Sequence, residues 1–187
     1  MPVFEWIQNV DLTAVRFVRE YLSNGFFDFI MPVVTLLGEN GIFWIVVTVL
    51  MLVFRKTRKA GFVMALSLIT GLVIVNLGIK PLVNRPRPYE VDRGVSLLIN
   101  KLGDGSFPSG HATCCFECAM SLWLCKYKKC AVAAFAASVL VAFSRVYLYV
   151  HYPSDVLVGA ALGMIFAIFS CYAVNRIYYV FEKSKTL

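Results

Sequence analysis

Long apolar stretches separated by short basic or proline-rich connections constrain the fold of this chain more than any other feature. Hydrophobic residues make up 59% of the sequence and charged residues 16%. This composition is typical of a protein that crosses a bilayer several times. Because an open sheet cannot pair its backbone groups in lipid, we predict an all-α, polytopic transmembrane helical bundle.

Five segments are predicted to span the membrane, although the first and third are shorter than the roughly 20 residues that cross a bilayer. They are residues 41–54, 61–79, 109–125, 130–149 and 156–174. Residues 3–23 mix apolar and charged side chains, which indicates an amphipathic helix at the bilayer surface. Residues 26–37 form a short apolar helix containing Asp28 and Pro32, and the sequence leaves open whether it crosses. The N-terminus lacks the basic and apolar pattern of a cleavable signal peptide, so none is expected.

The distribution of positive charge predicts which side of the membrane each connection faces. The connections 80–108 and 145–155 are separated by two predicted spans, so they share one side. The basic turns 55–59 and 126–129 share the other side with the tail 176–185, and the positive-inside rule makes that side cytoplasmic. The net charge of +7 is therefore attributed to membrane topology, and no nucleic-acid partner is expected.

Only two histidines, His111 and His151, occur in the chain, and each lies in a polar segment at the end of a predicted span. Histidine is well suited to move protons or attack phosphorus near neutral pH. Two histidines beside arginine, serine and aspartate therefore suggest catalysis.

The first polar segment, residues 80–88, follows a predicted span and contains prolines at positions 81, 86 and 88. The prolines stop the helix and stiffen its exit. Lys80 and Arg87 can then face one anion from fixed positions, with the planar guanidinium fork setting its orientation. Anchoring to lipid headgroups is the alternative interpretation of these basic residues.

The second segment, residues 108–111, places Ser109 and Gly110 at the start of a helix and His111 in its first turn. Serine is a good N-cap, and the free N–H groups of a helix start bind anions. An ordinary helix entry is the alternative here.

The third segment, residues 144–155, contains Arg145, His151 and Asp155. The carboxylate of Asp155 can accept a proton from one imidazole nitrogen of His151 and leave the other nitrogen free to attack a substrate. Arg145 would add a third cation. The alternative is an interfacial histidine surrounded by snorkelling and aromatic side chains.

Together the patterns Lys-x6-Arg-Pro, Pro-Ser-Gly-His and Ser-Arg-x5-His-x3-Asp resemble the three-part signature of the type 2 phosphatidic acid phosphatase superfamily, and the flanking spans fit its membrane-bound bacterial branch. The resemblance implies that His151 attacks phosphorus with Asp155 orienting it. It implies that His111 is the general acid and that a phosphate cradle, without metal or cofactor, is formed by Lys80, Arg87, Ser109, Gly110 and Arg145. The expected partner is a lipid phosphate or diphosphate at the extracytoplasmic face of the cytoplasmic membrane, such as undecaprenyl diphosphate, phosphatidylglycerol phosphate or phosphatidic acid.

On this interpretation the chain is one membrane phosphatase domain, with N-terminal helices over 1–37 and the catalytic bundle over 41–179. A phosphotransferase using the same phosphohistidine and an anion channel or transporter remain as alternatives. Two further polar residues, Glu117 and Asn76, fall inside predicted spans. A carboxylate in a span is costly unless paired, so we expect Glu117 to form a hydrogen bond between neighbouring helices. The six cysteines are interpreted as small apolar residues, and the sequence does not indicate an oligomeric state.

Overall fold

The computed structural model describes residues 2–184, with side chains from residue 5 onward. Lys185 of the predicted basic tail lies outside the described residues. No strand occurs among the described residues, so the all-α prediction is confirmed. The α-helices of this part are α1 (Pro2–Leu22), α2 (Gly25–Thr35), α3 (Ile42–Val53), α4 (Arg58–Gly71), α5 (Lys80–Val83), α6 (Pro88–Val91), α7 (Gly110–Leu124), α8 (Lys128–Tyr147) and α9 (Pro153–Ser184). A 3-10 segment, Leu36–Gly41, joins α2 to α3, and a π-helical segment, Leu72–Ile79, joins α4 to α5.

Within residues 2–184, four helical segments are long and apolar enough to cross a membrane: Gly25–Val53, Arg58–Val91, Lys128–Tyr147 and Pro153–Ser184. The prediction of a multi-pass membrane protein is confirmed, but the predicted count of five spans is not. The predicted span 109–125 corresponds to α7, which has only 15 residues. At 1.5 Å per residue it is about 22 Å long, less than the ~30 Å hydrocarbon core of a bilayer.

The predicted elements 26–37 and 41–54 belong to one long apolar segment that is interrupted at a turn. Asn24 caps α2, since its side-chain oxygen accepts hydrogen bonds from the N–H groups of Phe26 and Phe27. The interruption lies at Asn40 and Gly41, which adopt positive φ angles of 48° and 67°. This left-handed turn ends the first helical run and begins α3 in a new direction.

Helix α7 packs against α4, α8 and α9 and forms the centre of the bundle. Its contact with α9 depends on two glycines spaced four residues apart. A Cβ atom at Gly159 would lie 2.5 Å from the carbonyl oxygen of Ser109, and one at Gly163 would lie 2.4 Å from that of Thr113. Small residues at this spacing allow the backbones of two membrane helices to approach closely. The contact fixes the start of α7 beside the start of α9.

The basic turns lie together at one end of the bundle. The Tyr127 hydroxyl donates a hydrogen bond to the carbonyl oxygen of Lys56 at 3.0 Å. The Lys59 ammonium lies 5.3 Å from the ring centroid of Tyr178, near the end of α9. The turns 55–59 and 126–129 and the last turns of α9 therefore share one end, as the charge pattern predicts.

The N-terminal helix α1 is docked on the opposite end of the bundle. Asp11 is buried and accepts hydrogen bonds from Arg85 at 2.8 Å and from the Ser154 N–H at 3.0 Å. Arg16 donates to Asp92 at 2.8 Å. The predicted helix is present, and its polar face binds protein groups while Phe17 and other apolar side chains stay exposed.

Candidate active site

A cavity of about 560 Å³ lies at the end of the bundle where α7 and α9 begin. Six of the eight predicted site residues line it: Lys80, Arg87, Gly110, His111, Arg145 and His151. The three polar segments, which are up to 71 residues apart in the sequence, therefore meet at one place. The other two predicted residues, Ser109 and Asp155, lie behind this lining and support it.

The imidazole of His151 is buried between a carboxylate and a guanidinium. Its Nδ1 lies 3.5 Å from Oδ2 of Asp155, and its Nε2 lies 3.4 Å from Arg87. This distance to Asp155 is longer than a hydrogen bond, so the orientation of His151 by Asp155 stays a prediction. Asp155 accepts hydrogen bonds from the Tyr152 N–H at 3.0 Å and from Arg85 at 2.6 Å.

His151 lies in the connection between α8 and α9, where only 1% of its surface is exposed. Burial lowers the pKa of His151 well below its usual value of 6.5, and the charges of Arg145, Arg87 and Lys80 lower it further. A buried imidazole among cations is most stable when neutral. The neutral form has the free lone pair that nucleophilic attack requires.

Arg87 is held rigidly by backbone oxygens. It donates to the carbonyl oxygen of Val150 at 2.7 Å and to that of Asp104 at 2.9 Å, and only 1% of its surface is exposed. A guanidinium fixed in this way presents its charge to the cavity without a large ordering cost.

Arg145 is the most incompletely paired cation of the site. It is fully buried, and one of its terminal nitrogens donates to the Thr35 hydroxyl at 2.7 Å. Among the residues that the structure describes, its Nε and its second terminal nitrogen have no hydrogen-bond partner. Leaving buried charged donors unpaired is costly, so this geometry is suited to a bound anion. The partner Thr35 was not predicted from the sequence, because a threonine inside an apolar run gives no specific signal.

Asp104 binds the two cations that were predicted to face a phosphate. Its carboxylate accepts a hydrogen bond from Arg87 at 2.6 Å and pairs with Lys80. Burial alone would raise the pKa of Asp104, but the hydrogen bond and charge of Lys80, together with Arg87, lower it to about 2. Asp104 is therefore ionised at neutral pH. Sequence reasoning missed it, although an isolated acid within a basic connection could have been recognised as a counter-ion.

His111 projects from the first turn of α7 toward the 3-10 segment. Its Nε2 lies 3.3 Å from Oε2 of Glu39. A Cβ atom at Gly38 would lie 2.7 Å from the His111 ring, so only glycine fits beside the imidazole. Neither contact was predicted. The signal available in the sequence was the motif Gly38-Glu39-Asn40-Gly41, in which a carboxylate lies between two glycines at the end of an apolar run.

Ser109 caps α7, as predicted from its residue type. Its hydroxyl accepts a long hydrogen bond of 3.4 Å from the Ala112 N–H, and its own N–H donates to the carbonyl oxygen of Asp155 at 3.0 Å. The next residue, Gly110, lines the cavity, and a Cβ atom there would lie 2.9 Å from the side-chain oxygen of Asn76. The helix start is thereby fixed between α9 and the π-helical segment.

Arg85 connects α1 to the base of the site. It donates to Asp155 and to Asp11, and its guanidinium lies 3.9 Å from the ring centroid of Tyr152. Two buried carboxylates therefore surround Arg85, and it supports Asp155 from behind the cavity.

Below the cations the cavity becomes apolar. Leu68, Leu72 and Val75 line this part. Glu117 also lines it and accepts a hydrogen bond from the Ser67 hydroxyl at 3.4 Å. This contact joins α7 to α4, as predicted for Glu117. No group of three or more histidine, cysteine or acidic side chains suited to a metal ion occurs within the part of the chain that the structure describes.

Comparison with known proteins identifies the family. The sequence profile of the PAP2 superfamily matches residues 57–179. The chain belongs to the PAP2 superfamily. The matched residues include all three signature segments, so the resemblance predicted from those motifs is confirmed.

One curated relative is named undecaprenyl-diphosphatase and comes from Sulfolobus acidocaldarius. It is 38% identical over 120 residues, which cover 64% of this chain and 58% of the relative. The alignment thus spans less than two thirds of that protein.

Two solved structures are similar to this chain over most of their length. LpxE from Aquifex aeolicus has a TM-score of 0.76 and 27% identity, covering 86% of this chain and 94% of the other. The phosphatidylglycerolphosphate phosphatase from Bacillus subtilis has a TM-score of 0.73 and 28% identity, covering 91% and 87%.

Proposed function

We propose that this membrane phosphatase hydrolyses lipid phosphate monoesters or diphosphates through a phosphohistidine on His151. The observation that carries the proposal is the buried Arg145, whose unpaired nitrogens share a cavity with the neutral imidazole of His151. An anion that satisfies Arg145 would bring its phosphorus next to the nucleophile. Lys80 and Arg87 provide two further positive charges at the same place.

In the first step Nε2 of His151 attacks phosphorus, and the bond from phosphorus to the lipid oxygen breaks. His111 gives its Nε2 proton to the departing oxygen, which leaves as the lipid alcohol or, from a diphosphate, as the lipid monophosphate. The imidazole of His151 becomes positively charged when it is phosphorylated. Asp155, 3.5 Å from Nδ1, stabilises that charge.

In the second step water attacks the phosphorus, and the phosphorus–nitrogen bond breaks. The proton of the water passes to the now neutral His111, which restores the acid, and inorganic phosphate leaves. Both steps move negative charge onto phosphate oxygens. Fixed cations stabilise such charge without reorganising, which is the main source of catalysis in phosphoryl transfer.

The apolar lower part of the cavity supports a substrate whose hydrocarbon chain stays in the membrane. Leu72 and Ile69 line the cavity and are also more than half exposed on the bundle surface. A lipid chain can therefore pass between the cavity and the bilayer. The relatives named above point to undecaprenyl diphosphate and phosphatidylglycerol phosphate as candidate substrates, with phosphatidic acid as a third.

We place the cavity at the extracytoplasmic face of the cytoplasmic membrane. The basic turns lie at the other end of the bundle, and basic turns favour the cytoplasm. A fluorescent protein fused to the C-terminus should then fluoresce, because it would fold inside the cell. If the fusion protein is stably inserted in the membrane but does not fluoresce, the cavity would lie on the cytoplasmic side.

The proposed function is tested by phosphate release from the three candidate lipids by purified protein in detergent with chelator. His151→Ala should abolish turnover, and no phosphoenzyme should be detected after the reaction is quenched with acid. His111→Ala should retain a small fraction of the activity, with a loss of roughly 10² to 10⁴-fold for a missing general acid. Equal retention of activity in both variants would contradict this mechanism. Transfer of the substrate's phosphate to an added lipid or sugar would indicate a phosphotransferase. Movement of phosphate across the membrane without formation of a phosphoenzyme would indicate a transporter.

A further inference from the structure

The 3-10 segment between α2 and α3, together with Thr35 at the end of α2, contributes three contacts to the active site. Thr35, immediately before the segment, binds Arg145, Gly38 packs on the His111 ring, and Glu39 contacts His111. This segment lies outside the residues matched by the family profile, which begin at residue 57. The site therefore has a fourth part that the three signature motifs do not contain.

The backbone of this segment is shaped to direct Glu39 toward the cavity. Glu39 leaves the helical conformation with a ψ of 118°, and Asn40 and Gly41 follow in the left-handed region. Two successive residues with positive φ are uncommon unless a turn requires them. As a result Gly38, Glu39, Asn40 and Gly41 all line the cavity.

The charges around His111 make its protonation depend on a nearby carboxylate. Burial lowers the pKa of His111, and the charges of Arg145, His151, Lys80 and Arg87 around the same cavity lower it further. Asp104 lies in the cavity too, but it is paired with Lys80 and Arg87. Glu39 is the carboxylate that directly contacts His111, and its side chain is 42% exposed.

We propose that Glu39 is a positioning residue for the general acid, orienting His111 and stabilising its protonated form when a phosphate is bound. The inference rests on the proposed function, since it assigns a partner to the acid of that reaction. Glu39 contacts Nε2 of His111 at 3.3 Å, so its carboxylate can accept a hydrogen bond from the Nε2 proton until the departing oxygen replaces the carboxylate and takes that proton. A charge-assisted contact of this kind is stronger than a neutral hydrogen bond.

The test compares substrates that differ in their need for an acid. A lipid alcohol is a poor leaving group and needs a proton, whereas p-nitrophenolate leaves without one. Glu39→Gln should lower kcat for a lipid phosphate by roughly 10- to 100-fold, the range for a lost charge-assisted hydrogen bond. It should leave kcat for p-nitrophenyl phosphate within about twofold, and KM for both should change little.

A pH profile and a double mutant separate positioning from a structural role. In Glu39→Gln the alkaline limb of kcat for the lipid phosphate should move to lower pH, because His111 loses its proton more easily. Adding Glu39→Gln to His111→Ala should cause no further loss, since the residue acts through His111. Glu39→Asp should recover part of the activity, and the exposed Glu20→Gln serves as the matched control.

Three results would overturn the inference while leaving the proposed function intact: equal losses on both substrates, additive losses in the double mutant, or wild-type kinetics in Glu39→Gln. If Glu39→Gln does not fold, the same comparisons are made with Glu39→Asp, which should show a smaller loss confined to the lipid phosphate. If the wild-type protein releases no phosphate from any lipid, the proposed function fails first, and the inference fails with it.

Discussion

The carboxylate of Asp104 accepts a hydrogen bond from the guanidinium of Arg87 at 2.6 Å, at the position where a substrate phosphate is expected. The same carboxylate pairs with Lys80. An incoming phosphate dianion must therefore share these two cations with Asp104 or displace it. Half of the Asp104 side chain is exposed, so solvent weakens the pairing and makes displacement feasible.

Replacing Asp104 with asparagine should strengthen the binding of inorganic phosphate by several-fold to about tenfold, because a competing charge is removed. The shape of the side chain is retained, and Arg87 keeps its bonds to Val150 and to the backbone of residue 104. The measurement is the inhibition constant of phosphate at pH 7. Asp92→Asn, which breaks a pair with Arg16 away from the cavity, is the control. Unchanged or weaker inhibition would show that Asp104 does not compete with phosphate.

The titration of His151 can be observed directly, because the chain has only two histidines. In His111→Asn protein labelled with ¹⁵N-histidine, the single imidazole signal belongs to His151. Burial and the charges of three cations lower the pKa of His151, so its protonated imidazole loses a proton more readily in the folded protein than a free imidazole does. The imidazole should stay neutral as the pH falls through 6.5, with its midpoint well below that value. A midpoint at or above 6.5 would remove the argument for a neutral nucleophile.

Thr35→Val should destabilise the protein by about 1–3 kcal/mol, because it leaves a third donor of buried Arg145 without a partner. The substitution conserves shape, so packing changes little. Thr48→Val is a matched control, since the Thr48 hydroxyl is also buried but donates only to the Trp44 carbonyl of its own helix. Thermal unfolding in detergent compares the two. Similar shifts would mean that the contact of Thr35 with Arg145 contributes no stability.

Gly163→Ala should lower both stability and activity, because the added methyl group would meet the Thr113 carbonyl at 2.4 Å and push α7 from α9. That shift would displace His111 from His151, which the two helix starts position. Gly25→Ala, whose added Cβ meets no atom of the described residues within 4 Å, should keep the activity of the unmodified protein. Phosphate release and thermal unfolding together provide the measurement. Normal activity in Gly163→Ala would show that the helix contact tolerates repacking.

The sequence was sufficient to predict six residues that line the polar end of the cavity, but it did not predict Glu39 or Asp104 there. Apolar runs predicted the helices, and the fixed spacing within each motif grouped Lys80 with Arg87 and His151 with Asp155. Charge and span parity then predicted that these groups share one side. The number of spans was less predictable, because α7 is short and central, and because 26–37 and 41–54 join across a turn.

The sequence by itself determined which chemical groups the site contains, because histidine, arginine and lysine at the ends of apolar helices are local features that motif spacing makes visible. Only the tertiary structure decided which carboxylate accompanies each cation: Asp104 with Lys80 and Arg87, Asp11 and Asp155 with Arg85, and Glu39 with His111. Helix packing brings together the residues of these pairs, which lie 17 to 74 positions apart in the sequence. No local pattern encodes them, since an ion pair depends on distance in space and on the burial of both partners.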